Sequence, residues 1–153
     1  MTEKAKKKPI LVPVDFSSHA EAALVHAAKI AGCLGAPLIV LHVVHDPGTM
    51  PGYYAKVSKK KLITHIEDAA REMLDEFLAS IRKKESELKA LKSARSALVL
   101  GLPVTRILEV AKNENAGMIV MGSKGQTGLK HLLVGSIAEQ VVHLAPIPVT
   151  IVK

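Results

Sequence analysis

The chain has one cysteine, no tryptophan, two phenylalanines and two tyrosines. A single cysteine excludes an internal disulfide, so the core must form by packing alone. Cys33 lies in an apolar helical stretch and is expected to be a buried, inert thiol. So few aromatic rings leave little on which bases could stack, which disfavours nucleic acid as a partner. No apolar run approaches the roughly 20 residues that a bilayer span needs, so no membrane role is expected. The early run "ILVPV" stops at Asp15 and is too short for a signal-peptide core. A cytoplasmic location is the resulting expectation.

Hydrophobic residues make up 48% of the 153, enough for one domain of ordinary size. The net charge is +7. Lys4, Lys6, Lys7 and Lys8 against Glu3 supply +3 of it, leaving +4 for the remainder. Residues 1–8 therefore read as a basic flexible tail and residues 9–153 as one domain, without an internal repeat.

Apolar runs alternate with helical patterns along that domain. "ILVPV" (10–14) is a continuous aliphatic run, as expected of a strand covered on both faces. A helix follows, capped by Ser17 or Ser18, with Glu21 three residues after Ser18 in the capping-box position. Ala20, Leu24, Ala27, Ala31 and Leu34 recur at helical spacing, and Gly35 with Pro37 closes the segment. "PLIVLHVVH" reads as the second strand, and "DPGTMPGYY" after it as loop.

Between Gly52 and Gly101 there is neither glycine nor proline. Leu62, Ile66, Ala69, Met73, Phe77 and Ile81 recur there every three or four residues, which predicts a long amphipathic helix ending between 85 and 92. Then come a strand at 95–101, a helix with Val104, Ile107, Leu108 and Ala111 inward, and the strand "MIVMG". The short helix "SIAEQVVHLA" and the terminal strand "IPVTIV" complete the chain. This alternation predicts an α/β domain with a mainly parallel sheet and right-handed crossovers.

Ligands of open α/β sheets sit beyond the carboxyl ends of the strands, where strand order reverses. Two strand ends carry suitable chemistry. The first ends in Asp15, able to meet a hydroxyl or a metal; its alternative role is to cap the following helix. The fourth opens the stretch "GSKGQTGLKHLLVGS", residues 122–136. Gly122, Gly125 and Gly128 allow close backbone approach. Gly135 and Ser136 begin a helix whose free N–H groups attract an anion. Ser136 is a candidate N-cap or phosphate donor, and Lys124 and Lys130 add positive charge.

Neither G-x-x-x-x-G-K-[ST] nor a G-x-G-x-x-G after strand one is present. By composition alone, a plain turn and a phosphate cradle stand equal. His42 and His45 are three apart and would point to opposite faces of a strand, which favours core or rim positions over a shared metal. His131 reads as an exposed spacer.

The spacing of the loop is more specific than its composition. Gly122, Gly125, Gly135 and Ser136 form G-x2-G-x9-G-[ST]. With "ILVPVDFS", "IVMGSKGQTGLKHLLVGS" and "APIPVTIVK", the chain resembles the ATP-binding subgroup of the universal stress protein family. The resemblance covers roughly 10–45 and 95–153. It departs at Gly117, where the family often has an acid.

The resemblance implies a single-domain, Rossmann-like fold: an open parallel five-stranded sheet, ordered 3-2-1-4-5, with helices on both faces. It further implies an adenine nucleotide, commonly ATP with Mg2+ or Mn2+. Pro13, Val14, Asp15 and Val43 would surround the adenosine, with Asp15 directed to ribose or metal. Met121, Gly122, Ser123, Gly125, Gly135, Ser136 and Ile137 would hold the phosphates and adjoining ribose. A homodimer through the terminal strand, residues 148–152, is also implied. The expected role is nucleotide-dependent regulation in a stress response. The alternatives are a slow ATP hydrolase, for which no catalytic residue emerges, and a dimerising scaffold without nucleotide. Valine at Gly122 or Gly135 is expected to abolish binding and spare the fold.

Overall fold

The computed structural model describes residues 6–45, 59–125 and 134–153. The expected loop 46–54, Gly128, Lys130 and His131 lie outside them. The elements, in chain order, are β1 (Ile10–Pro13), α1 (Ser18–Leu34), β2 (Leu38–Val44), α2 (Lys59–Lys84) and α3 (Lys89–Lys92). They continue with β3 (Arg95–Leu100), α4 (Pro103–Asn113), β4 (Met118–Gly122), α5 (Ser136–Leu144) and β5 (Val149–Val152). The strands form one sheet in the order β3-β2-β1-β4-β5, every pairing parallel. This is the architecture and strand order expected from the sequence.

The side chains of β1 alternate between two cores, because successive residues of a strand face opposite ways. Val12 and Val40 meet α1, α2 and α3 on one face, through Leu24, Ala27, Leu74, Leu78, Ile81 and Leu91. Leu11, Ile39 and Ile119 meet α4 and α5 on the other, through Ile107, Ala111, Ala138 and Val141. Burying a Leu or Ile side chain is worth about 1.5–3 kcal/mol, so these two layers dominate stability. The alanines of α1 let that helix lie close against β1 and β4, a closeness that shapes the ligand crevice.

Several local expectations are corrected. The N-cap of α1 is Ser17, whose side chain accepts from Ala20 N. Ser18 is already helical, so Glu21 has no box to complete and pairs with Lys84 instead. Leu34 and Cys33 are exposed near the end of α1, beyond the layer of α2 and α3. The long helix stops at Lys84 and a separate turn, α3, buries Leu91. Arg82 secures that break: Nε donates to Leu91 O (2.8 Å) and an Nη to Ala94 O (3.0 Å). The buried stripe of α2 runs through Ala70, Leu74, Leu78 and Ile81, leaving Met73 exposed. In α4, Ile107 and Ala111 are buried and Val104 packs beside them, while Leu108 stays half-buried outside that core.

At the amino ends of the strands the chain is tied by specific contacts. Lys7 Nζ donates to Leu34 O (2.5 Å), supplying a cation to the carboxyl end of α1. Gly117 N donates to Pro9 O (2.9 Å), and a β-carbon at Gly117 would lie 3.0 Å from Lys8 Cβ. Glycine suits this position.

The Arg95 guanidinium binds Glu114 at 2.5 and 3.2 Å, joining the start of β3 to the end of α4. Its hydrogen bond, aided by Coulomb attraction and opposed by desolvation, holds the Glu114 carboxyl below its ordinary value. A depressed carboxyl contributes stability above the unfolded-state value of about 4.3, lost as pH falls through the folded one. Both partners are substantially solvated, so Glu114→Gln is expected to cost on the order of 0.2–1 kcal/mol at pH 7. In urea melts compared with wild type, that difference should fade as the pH falls through the lowered value of the folded carboxyl. A difference that survives would assign the effect to packing.

Candidate functional site

The order β3-β2-β1-β4-β5 makes β1 and β4 neighbours. Their crossovers leave in opposite directions, which opens a crevice at their carboxyl ends. A cavity of about 500 Å³ lies there, within the range of small-molecule sites. The eleven residues assigned to the nucleotide line it: Pro13, Val14, Asp15 and Val43 on one side, Met121, Gly122, Ser123, Gly125, Gly135, Ser136 and Ile137 on the other.

The turn after β1 places Asp15. Ser17 donates to Asp15 Oδ1 from its backbone N (3.1 Å) and from its hydroxyl (2.5 Å). Ser17 Oγ then accepts from Ala20 N at 3.1 Å. Capping and cavity roles therefore coexist: Asp15 orients the cap residue and also borders the crevice. Asp15 Oδ2 lies toward the loop, where a β-carbon on Gly125 would approach it to 2.7 Å.

The loop after β4 is pinned at its two ends. Ser123 N donates to Val152 O (2.9 Å) and Ser123 O accepts from Gly135 N (2.6 Å). These bonds fasten the loop base to β5 and to the start of α5. Gly122 is held still more tightly, since a β-carbon there would lie 2.8 Å from both C and O of His19 in α1.

Gly135, not Ser136, is the N-cap of α5, and it offers no side-chain cap. The expectation of a serine cap is thus corrected: the chain turns helical one residue earlier. The first N–H groups of α5 consequently open at the cavity rim beside Ser136 and Ile137. The amino end of α4 reaches the same crevice through Pro103 and also lacks a side-chain cap. Two helix dipoles thus present positive ends to this space. Among the described lining residues, Asp15 is the sole carboxylate and Lys124 the sole lysine.

The cavity has two chemical halves. Val43, Pro103 and Ile107 form an apolar wall between β2 and α4. Asp15, Ser123, Lys124, Ser136 and the loop backbone form the polar half. Such a space fits a flat apolar group joined to an anion. Pro103, Ile107 and His45 were not singled out from the sequence. The strand order held the signal for the first two, because the helix after β3 must cross β2 and β1 to reach β4.

His42 and His45 both border the cavity, but His42 Nδ1 is bonded to Val14 O at 2.8 Å. No group of three His, Cys, Asp or Glu residues suited to a metal occurs among the described residues. Among the described lining residues, Asp15 is the carboxylate that could meet a divalent cation carried in by an anionic ligand. No helix of the described residues is long and apolar enough to cross a membrane.

Comparison with known proteins agrees with this arrangement. A family model described as "Universal stress protein family" matches residues 7–153. Universal stress protein MJ0577 of Methanocaldococcus jannaschii is 29% identical, across 95% of this chain and 94% of the relative. MJ0531 of the same organism is 33% identical, across 95% and 82%. Among solved structures, universal stress protein UspA from Lactobacillus plantarum superposes with a TM-score of 0.78, at 26% identity over 98% of this chain and 100% of that one. A universal stress protein from Archaeoglobus fulgidus in complex with dAMP has a TM-score of 0.63, at 27% identity over 97% and 99%. With a family match spanning nearly its whole length and a fold shared with solved members, the chain belongs to the universal stress protein family.

Proposed function

We propose that the chain binds an adenine nucleotide, ATP with Mg2+ or Mn2+, and acts as a nucleotide-dependent regulatory protein in the cytoplasm. The observation that carries this reading is the divided cavity, with an apolar slot between β2 and α4 and a polar cradle below two helix N-termini. In this reading Pro13, Val14 and Val43 border the adenosine, and Asp15 meets the ribose or the nucleotide's cation. Met121, Gly122, Ser123 and Gly125 hold the phosphates together with Gly135, Ser136 and Ile137. The dAMP complex of the Archaeoglobus fulgidus relative supports an adenine nucleotide. The triphosphate rests on the three-glycine spacing and on Lys124 beside it.

Titration calorimetry with Mg-ATP is the direct test. Binding at micromolar to sub-millimolar concentration is expected, weakened about tenfold by Asp15→Asn, a loss typical of one charged hydrogen bond. No heat at millimolar nucleotide would sink the proposal. Phosphate release measured beside Gly135→Val separates binding from hydrolysis: release that disappears in the variant would make the protein an ATP hydrolase.

The same reading includes a homodimer. β5 is an edge strand, half-buried along its length, whose outer side faces no strand among the described residues. An apolar edge of this kind invites pairing with a second copy. Sedimentation at micromolar protein should give twice the monomer mass of 16.4 kDa; a monomer across that range would remove the dimer from the proposal.

A further inference from the structure

Phe16 stands between Asp15 and the helix cap with φ of +65°. A bulky residue in the left-handed region is a true outlier, costing about 1–3 kcal/mol unless its surroundings fix it. Here the surroundings are two rings. The Phe16 ring lies 4.3 Å from the His42 imidazole, tilted by 32°, and 5.6 Å from Phe77 of α2 in an edge-on arrangement. His42 is itself anchored, Nδ1 against Val14 O at 2.8 Å. Val14 N in turn donates to Leu41 O at 2.8 Å.

One imidazole therefore grips both neighbours of Asp15. It bonds the carbonyl of the residue before and stacks on the side chain of the residue after. We infer that Phe16 and His42 are positioning residues for Asp15, holding its carboxylate at the Gly125 end of the cavity in the orientation that receives nucleotide. The inference rests on the proposed nucleotide site and deepens it.

The physical logic is preorganisation. Asp15 Oδ1 is engaged by Ser17, and Oδ2 lies where a β-carbon on Gly125 would meet it. That geometry requires the left-handed step at Phe16, which folds Ser17 back onto the carboxylate. Released from His42, Phe16 can relax to negative φ, and the Ser17 donors swing away from Oδ1. Ligand binding then has to restore the turn, and affinity falls by that cost. Phe77 extends the clamp to α2, so the setting of that helix is felt at Asp15.

The test is a set of double-mutant cycles on the full chain, reading Kd for Mg-ATP by calorimetry beside a thermal melt of each variant. Phe16→Ala removes the ring and keeps the cost of positive φ, so that nothing then holds the left-handed step. His42→Ala removes the clamp. Each should weaken binding by about tenfold in the wild-type background, the effect of a ~1.4 kcal/mol reorganisation. In the Asp15→Asn background each should change Kd by less than about twofold, because the group being positioned is gone. Should either variant melt before titration, His42→Gln keeps a donor for Val14 O, loses the stacking face, and carries the same cycle.

Losses that persist at full size beside Asp15→Asn would overturn the inference, since the rings would then be acting on the fold at large. Wild-type affinity in Phe16→Ala and His42→Ala would overturn it as well. Asp15→Asn binding as tightly as wild type would end it while leaving nucleotide binding intact. A wild-type protein silent at millimolar nucleotide would remove the site itself, and the positioning role with it.

Discussion

Gly122→Val should destabilise the whole domain by about 3 kcal/mol, the upper range for overpacking a rigid site, and lower its melting temperature by roughly 10 °C. The cause is contact between backbones. A β-carbon at 122 would stand 2.8 Å from His19 C and O, and no rotamer change can move a main chain aside. Either α1 lifts from β4 or the end of β4 bends. Both options break packing that includes Leu24, Ala27 and Val120. The expectation that valine at 122 would abolish binding and spare the fold is therefore corrected. The signature's first glycine serves helix–strand packing as well as any ligand. Thermal and urea melts of Gly122→Val against Gly135→Val check this. At Gly135 the nearest atom to an added β-carbon is Ser123 O at 3.4 Å, an ordinary contact. Equal melts for the two variants would show that α1 yields more easily than its backbone contacts imply.

Gly125→Ala should do the reverse, with little change in stability and a large loss of nucleotide affinity, on the order of 10–100-fold. The atom met by the new β-carbon, at 2.7 Å, is Asp15 Oδ2, the end of a side chain. The carboxylate can turn away, so the fold escapes the clash and the site does not. A turn moves Oδ2 off its place beside the loop while Oδ1 keeps the Ser17 donors, or else the loop that frames the anion is displaced. Calorimetric Kd and the urea midpoint, measured on one preparation, check both halves. Wild-type affinity in Gly125→Ala would show that neither Asp15 nor the loop end has to stay in place for binding.

These two glycines illustrate what the sequence discloses. Their spacing to Gly135 and Ser136 located the cavity, and strand–helix alternation predicted a parallel sheet whose order the family resemblance supplied. Spacing carries no distances, however. That Gly122 abuts His19 and Gly125 abuts Asp15 depends on how closely an alanine-rich α1 settles onto β4, a tertiary fact. The cap of α1 was left between Ser17 and Ser18, and that of α5 fell one residue late, for a similar reason. Adjacent serine or glycine candidates differ only in the dihedral angles that the preceding turn imposes. Cys33 and Leu34 followed a helical apolar pattern that ran on past the reach of the neighbouring layer. The break between α2 and α3 contains no glycine or proline, and it is held by Arg82 bonding carbonyls ten or so residues ahead. No window of local propensity registers such a bond. Pro103 and Ile107 were legible in principle, since the order 3-2-1-4-5 obliges α4 to pass over the crevice.

Ser123 belongs to two structures at once. Its N–H is spent on Val152 in the edge strand, and its carbonyl holds Gly135 at the threshold of α5. A grip on the outer edge of β5 and an occupant of the cradle would thus pull on the same residue from opposite sides. Any preference of one for the position set by the other is shared equally between them, because linkage is reciprocal. In a self-associating form, nucleotide affinity would then depend on how concentrated the protein is, and the tendency to pair on how much nucleotide the cell holds. A single residue of backbone would let an adenylate level be read out as a state of assembly.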